Sequence, residues 1–200
     1  MANRRKLLCI DPGHGMGNAE SGAYDPGAVG GGVAEADIAL QWALTLKHVA
    51  TQNGIDVVMT RDDASDVVPV WQRDDLARMR NADWFISLHC NAIGGPRALL
   101  ARGTETIIAD DAGVDSSRWA QQVQRACLLA MGGPDRGVKF ERQTPHKKLA
   151  VLRSSHRFPS CLLEIGFISN KSDRDKMLRR DVRLAFANNL IAMLVGLKLR

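Results

Sequence analysis

The chain has 200 residues, 45% of them hydrophobic and 24% charged. That is ordinary for one globular domain with a real core, and it excludes the disordered and fibrous classes. No stretch approaches the ~20 apolar residues of a membrane span, and the net charge of +5 is scattered, suiting a polyanion without the long basic tract of a nucleic-acid module.

The amino terminus, Met1-Ala2-Asn3-Arg4-Arg5-Lys6, has the charge of a signal peptide's first region. Its apolar run is only Leu7-Leu8-Cys9-Ile10 before Asp11-Pro12-Gly13 interrupts it. The expectation is a chain without an export signal of the usual kind. Apolar runs at 6–10, 55–60, 84–89, 105–109, 150–153 and 161–165 predict strands. Between them Ile38, Trp42, Thr45 and Val49 recur at helical spacing. So do Trp119, Val123, Cys127 and Ala130, and later Ala187, Ile191 and Leu194. Pro69 is placed to open a further helix running to Arg80. Strands alternating with helices predict an α/β domain: a twisted, mostly parallel sheet of about six strands, covered by helices on both faces. No linker, repeat or low-complexity segment divides it, so residues 1–200 are expected to form one domain. Cys9, Cys90, Cys127 and Cys161 show no CxxC spacing and read as buried, reduced thiols.

Sites in parallel sheets form where strands end and loops emerge. The first strand runs into Asp11-Pro12-Gly13-His14-Gly15 and the third into Ser87-Leu88-His89-Cys90-Asn91. Two histidines and a carboxylate make a zinc site with an open position, and Glu35, Asp37, Asp25 and Glu20 are the candidate carboxylates. These residues are far apart in sequence, unlike a His-Glu-x-x-His helix, so structural roles for both histidines stay open. Glu164 is anomalous, because Cys161, Leu162, Leu163, Ile165 and Phe167 around it read as buried. A buried carboxylate is costly unless partnered. A salt bridge to an arginine and a general base of raised proton affinity are both open readings. His48 is assigned to a helix surface, and His146 and His156 to the surface or a substrate groove. Gly13-His14-Gly15-Met16-Gly17 is no dinucleotide fingerprint, since Asn18 stands where its third glycine belongs.

Taken in order, Asp11-Pro12-Gly13-His14-Gly15, Asp25-Pro26-Gly27-Ala28, Glu35 and Asp37-Ile38-Ala39-Leu40 resemble the zinc-dependent N-acetylmuramoyl-L-alanine amidases of the amidase-3 family. The similarity continues through Val57-Val58-Met59-Thr60-Arg61, Phe85-Ile86-Ser87-Leu88-His89-Cys90-Asn91-Ala92 and Gly103-Thr104-Glu105-Thr106. It resumes at Asp135-Arg136-Gly137-Val138-Lys139, Val151-Leu152-Arg153 and Leu162-Leu163-Glu164-Ile165-Gly166-Phe167-Ile168-Ser169-Asn170. The resemblance implies one zinc ion per chain held by His14, Glu35 and His89, with Glu164 as catalytic base. It also implies peptidoglycan as substrate, cut between the lactyl group of N-acetylmuramic acid and L-alanine. One departure stands out: residues 16–24 intervene between the first histidine and the second Asp-Pro-Gly. They bring in Glu20 as an alternative ligand, while Gly30-Gly31-Gly32 leaves the approach to Glu35 flexible.

Three rival functions follow from the same residues: a cysteine-dependent wall hydrolase using Cys90, a non-catalytic peptidoglycan-binding module, and a basic metal-dependent nuclease. Neighbouring residues of a strand face opposite sides, so Cys90 is not expected to share a pocket with His89. Neither a nucleic-acid partner nor stable membrane association is expected. Residues 92–103 and 110–117 hold no long apolar helix that could plug the site, so no obligatory activator is expected either. The setting that fits is synthesis in the cytoplasm and action on the bacterial wall, as a phage lysis enzyme or a bacterial amidase trimmed of its export signal.

Overall fold

The computed structural model describes residues 4–18, 21–95, 99–153 and 157–196. Six strands form the central sheet: β1 (Leu7–Pro12), β6 (Asp56–Met59), β7 (Trp84–Asn91), β8 (Thr104–Ile108), β9 (Asp135–Phe140) and β10 (Ser160–Phe167). Their spatial order is β6-β1-β7-β10-β8-β9, parallel throughout except where β8 meets β10. Two small hairpins precede the first long helix, β2–β3 (Gly15–Met16 with Tyr24–Asp25) and β4–β5 (Val29–Gly30 with Val33–Ala34). The helices are α1 (Glu35–Gln52), α2 (Arg73–Met79), α3 (Val114–Met131), α4 (Lys171–Met177) and α5 (Arg180–Leu194). No helix among the described residues is long and apolar enough to cross a membrane.

The two-residue period of the strands sorts their side chains onto two faces. Leu8, Ile10, Ile86, Leu88, Cys161 and Leu163 join Trp42 of α1, Trp119 of α3 and Phe186 of α5 in the larger core. Cys9, Phe85, Ile107 and Leu162 face the other way, against Ala77 of α2 and the turn holding Val151 and Leu152. Both buried indoles are satisfied: Trp42 Nε1 donates to Met177 O at 2.9 Å and Trp119 Nε1 to Phe85 O at 2.8 Å. Aromatic side chains buried this way each bring roughly 1.5–3 kcal/mol of apolar transfer. The sheet is therefore thickly covered on one face and thinly on the other, and the thin face leaves room for a site.

The expected architecture holds, with one exchange of strands. Residues 150–153 do not pair with the sheet; Ala150–Leu152 is a single 3₁₀ turn. Its apolar residues are required by burial beneath α2's side of the sheet, which period alone cannot distinguish from a strand. The sixth strand is instead β9, whose sequence Asp-Arg-Gly-Val-Lys-Phe is largely polar because it forms an edge, half exposed. After Pro69 the chain makes a 3₁₀ turn, Val70–Gln72, before α2 begins. The glycines at 31 and 32 adopt φ of 57° and 79° and close the β4–β5 hairpin tightly, so the approach to Glu35 is an ordered turn.

Candidate metal centre

His14 leaves β1 at its carboxyl end with φ of 59°, a left-handed backbone that costs a non-glycine residue on the order of 1 kcal/mol. Two buried arginines hold it there. Arg61 donates to the carbonyls of Pro12, Gly13 and Ala36 at 3.0, 2.8 and 2.9 Å. Arg73 donates to Asp11 Oδ1 at 2.9 Å, to Pro12 O at 2.8 Å and to His14 O at 2.7 Å. Asp11 is fully buried, and Thr60 and Ser87 also donate to it, each at 2.6 Å. Burial opposes its charge, but Arg73 and the two hydroxyls outweigh that and hold its pKa below the ordinary carboxylate value.

Strand parity points Ser87, His89, Glu105 and Glu164 to the same, thinly covered face as Asp11. Glu35, the first residue of α1, meets His14 and His89 there. Its Oε1 lies 3.1 Å from His14 Nε2 and 2.9 Å from His89 Nδ1, and also accepts the Cys90 amide at 2.9 Å. Its Oε2 accepts the Ala28 amide at 2.9 Å. One ligand atom from each of His14, Glu35 and His89 lies within 4.8 Å of the others, and this is the group among the described residues that could hold a metal ion. Two imidazole nitrogens and one carboxylate oxygen suit zinc with an open fourth position. Burial alone would keep Glu35 protonated; the two imidazoles reverse that and draw its pKa far below the usual carboxylate range. Burial likewise disfavours charging His14, but Glu35 and Asp25 outweigh it and raise its pKa to about 9 without a metal.

Gly27 is the close approach that makes this convergence possible. A Cβ there would stand 2.6 Å from the His14 ring and 2.7 Å from Glu35 Oε2. Asp25, two residues earlier, lies 2.8 Å from His14 Nδ1, on the ring edge opposite the nitrogen facing Glu35.

Glu164 lies beside His89 on one side and Glu105 on the other. Among the described residues it has no ion pair, and its buried Oε2 has no hydrogen-bond partner, so of the two open readings the salt bridge to an arginine is not found. Burial, then the negative charges of Glu35 and Glu105, push its pKa well above the ordinary value. It opens onto a cavity of about 430 Å³ that His14, Glu35, His89, Asn91, Glu105 and His146 also line.

Of the other candidates, Asp37 is exposed on α1 and His48 is exposed further along it. Glu20 and His156 lie outside the described residues. Cys90 turns to the opposite face, where its Sγ sits 3.6 Å from Met177 Sδ, and burial raises its pKa. Among the described residues Asn91 makes no side-chain hydrogen bond to either histidine; it donates to Glu105 Oε1 at 2.8 Å, while Arg136 and Lys139 hold Oε2 at 2.8 and 2.5 Å. The roles of Arg61, Arg73 and Glu105 were not readable from sequence. For Arg61 and Glu105 the available signal was charge beside an apolar run; Arg73, in a polar segment, gave none.

The model of the amidase-3 family, described as N-acetylmuramoyl-L-alanine amidase, matches residues 8–195. The sporulation-specific N-acetylmuramoyl-L-alanine amidase of Bacillus subtilis is 32% identical over 172 residues, covering 85% of this chain and 59% of the relative. N-acetylmuramoyl-L-alanine amidase AmiC of Neisseria meningitidis is 34% identical over 167 residues, covering 80% of this chain and 37% of that protein. The chain thus spans well under two thirds of either relative. The catalytic domain of CwlV, an N-acetylmuramoyl-L-alanine amidase from Bacillus (Paenibacillus) polymyxa var. colistinus, superposes with a TM-score of 0.79 at 28% identity, covering 96% of this chain and 99% of that domain.

Proposed function

Since this chain belongs to the amidase-3 family, we propose that it is a zinc-dependent N-acetylmuramoyl-L-alanine amidase acting on peptidoglycan. The scissile bond joins the lactyl carbonyl of N-acetylmuramic acid to the nitrogen of the stem peptide's L-alanine. The observation that carries the reading is the convergence of His14, Glu35 and His89 on one point, with Glu164, whose buried Oε2 has no hydrogen-bond partner, lining the same cavity. His14 Nε2, a Glu35 oxygen and His89 Nδ1 would be the ligands. Bound zinc would polarise the scissile carbonyl and lower the pKa of water toward ~7.

The chain's own residues supply the rest. Arg61 and Arg73 keep the His14 backbone in its left-handed turn, so the ligand is held before substrate arrives. One carboxylate oxygen of Glu164, which lines the cavity and has no ion pair among the described residues, would take a proton from the attacking water. The same oxygen then returns that proton to the departing nitrogen of L-alanine. The apolar lining by Ile107, Leu149, Val151 and Leu162 limits water beside that oxygen.

Mass spectrometry of digested sacculi tests the bond assignment. Free stem peptides with a new amino terminus on L-alanine and intact glycan strands are expected. New reducing sugar ends as the main product would overturn it.

A further inference from the structure

Residues 16–24 separate His14 from the Asp-Pro-Gly turn at 25–27, and the hairpin they help form places side chains beside the metal centre. Gly15 pairs with Asp25 and Met16 with Tyr24, and Gly17 N donates to Ala23 O at 3.2 Å. The hairpin is stitched to the segment ahead of α2, where Val68 N donates to Met16 O at 3.0 Å and Val70 N to Asn18 O at 3.4 Å. At its base Asp25 Oδ2 lies 2.8 Å from His14 Nδ1. The same oxygen accepts Asn18 Nδ2 at 2.6 Å, and Asp25 Oδ1 accepts the Gly27 amide at 2.9 Å. Both carboxylate oxygens are thereby engaged, and the group has one orientation.

We infer that Asp25 and Asn18 are positioning residues for the metal centre: Asp25 fixes His14, and Asn18, carried by the hairpin, fixes Asp25. This rests on the zinc reading of His14, Glu35 and His89. A neutral imidazole has one N–H and one lone pair, and an ionised carboxylate only accepts. With Asp25 at Nδ1, the N–H belongs there and the lone pair falls on Nε2, the nitrogen facing Glu35 and His89. Asp25 cannot be a fourth ligand from this position, because the ring stands between it and the group. A carboxylate behind a metal-binding histidine sets its tautomer and raises its basicity, and losing such a partner costs roughly 10–100-fold in metal affinity. Asn18 is the residue that the inserted stretch contributes. Nothing else donates to Asp25 Oδ2 among the hydrogen bonds of the described residues besides the His14 ring.

The test measures zinc affinity of the whole chain by competition with a chromophoric chelator, in wild type, Asp25→Ala, Asp25→Asn and Asn18→Ala. Asp25→Ala should bind zinc ~10–100-fold more weakly. Asp25→Asn should recover part of the loss, because its amide oxygen can still accept the Nδ1–H while its NH₂ then opposes the Gly27 amide. Asn18→Ala should lose affinity by a smaller factor in the same direction. Unfolding of the metal-free proteins is followed in parallel. A hairpin that serves only as structural glue would lower the Tm of metal-free Asp25→Ala and leave zinc affinity at the wild-type value, which overturns the inference. Should Asp25→Ala fail to fold, Asn18→Ala decides, and unchanged affinity there overturns it equally. Wild-type protein that binds no zinc would remove the metal-centre reading and this inference together. Tight wild-type binding matched by Asp25→Ala removes this inference alone.

Discussion

Glu164 and Glu35 are both carboxylates of one small site, and exchanging each for glutamine should separate their roles. Glu164→Gln keeps shape and volume but cannot accept a proton. The chemical step should slow by ~10²–10⁴-fold, which is about 2.7–5.5 kcal/mol of barrier. Zinc content should remain near one per chain, because Glu164 is proposed as base and not as ligand. The metal-free variant should also be no less stable than wild type. Burial and the neighbouring carboxylates already disfavour the Glu164 charge and its Oε2 has no donor to lose, so the glutamine exchanges one unpartnered polar group for another while removing the disfavoured charge. Glu35→Gln should behave differently, because both of its oxygens face donors. An NH₂ at the Oε2 position would confront the Ala28 amide, and at the Oε1 position the Cys90 amide and both imidazoles. Either placement leaves a buried donor unmatched, at about 1–3 kcal/mol, in addition to the lost anionic ligand. Zinc content and activity should fall together, and excess zinc should partly restore Glu35→Gln but not Glu164→Gln. Metal analysis alongside rates on purified sacculi gives the readout. Zinc lost from Glu164→Gln but retained by Glu35→Gln would refute the assignment of roles.

The metal-free protein should show a characteristic pH dependence. The folded-state pKa of His14 is about 9 against an ordinary 6.5, so its stabilisation is full below about 6.5 and is lost as pH rises through 9. Glu35, held far below its ordinary 4.5, contributes above that value and loses its contribution in acid. Metal-free stability should therefore be highest between these limits and fall toward pH 9 by an amount on the order of 3 kcal/mol. Urea unfolding across that range checks it, and a flat alkaline limb would contradict the His14–Glu35 geometry. Thiol chemistry gives a further check: all four cysteines are free and buried, so iodoacetamide applied to the native protein should leave sacculus clearing intact. Loss of activity in step with Cys90 modification would revive the cysteine-hydrolase reading.

Much of this arrangement is legible in the amino-acid sequence. The carboxyl ends of β1 and β7 pointed to His14 and His89, and a carboxylate in the apolar run of β10 singled out Glu164. Strand parity correctly sent Cys90 away from His89. Other features were hidden because they depend on contacts between distant parts of the chain. Arg73 looks like a polar residue of a short helix, yet its guanidinium reaches Asp11, 62 residues earlier, and is almost fully buried. Asp25 stood among several candidate ligands; only the hairpin's pairing shows that it meets the far side of the His14 ring. The turn at Ala150–Leu152 and the edge strand Asp135–Phe140 were exchanged for a physical reason. Apolar character reports burial, and an edge strand needs little of it while a buried turn needs much.

The central claim, that His14, Glu35 and His89 bind the zinc on which peptidoglycan hydrolysis depends, is tested most directly by one titration. Protein stripped with a strong chelator is returned zinc in measured steps, and sacculus clearing is followed at each step. The account predicts no clearing at the start and a rise that reaches its full rate at one zinc per chain. Undiminished clearing by the stripped protein would contradict it.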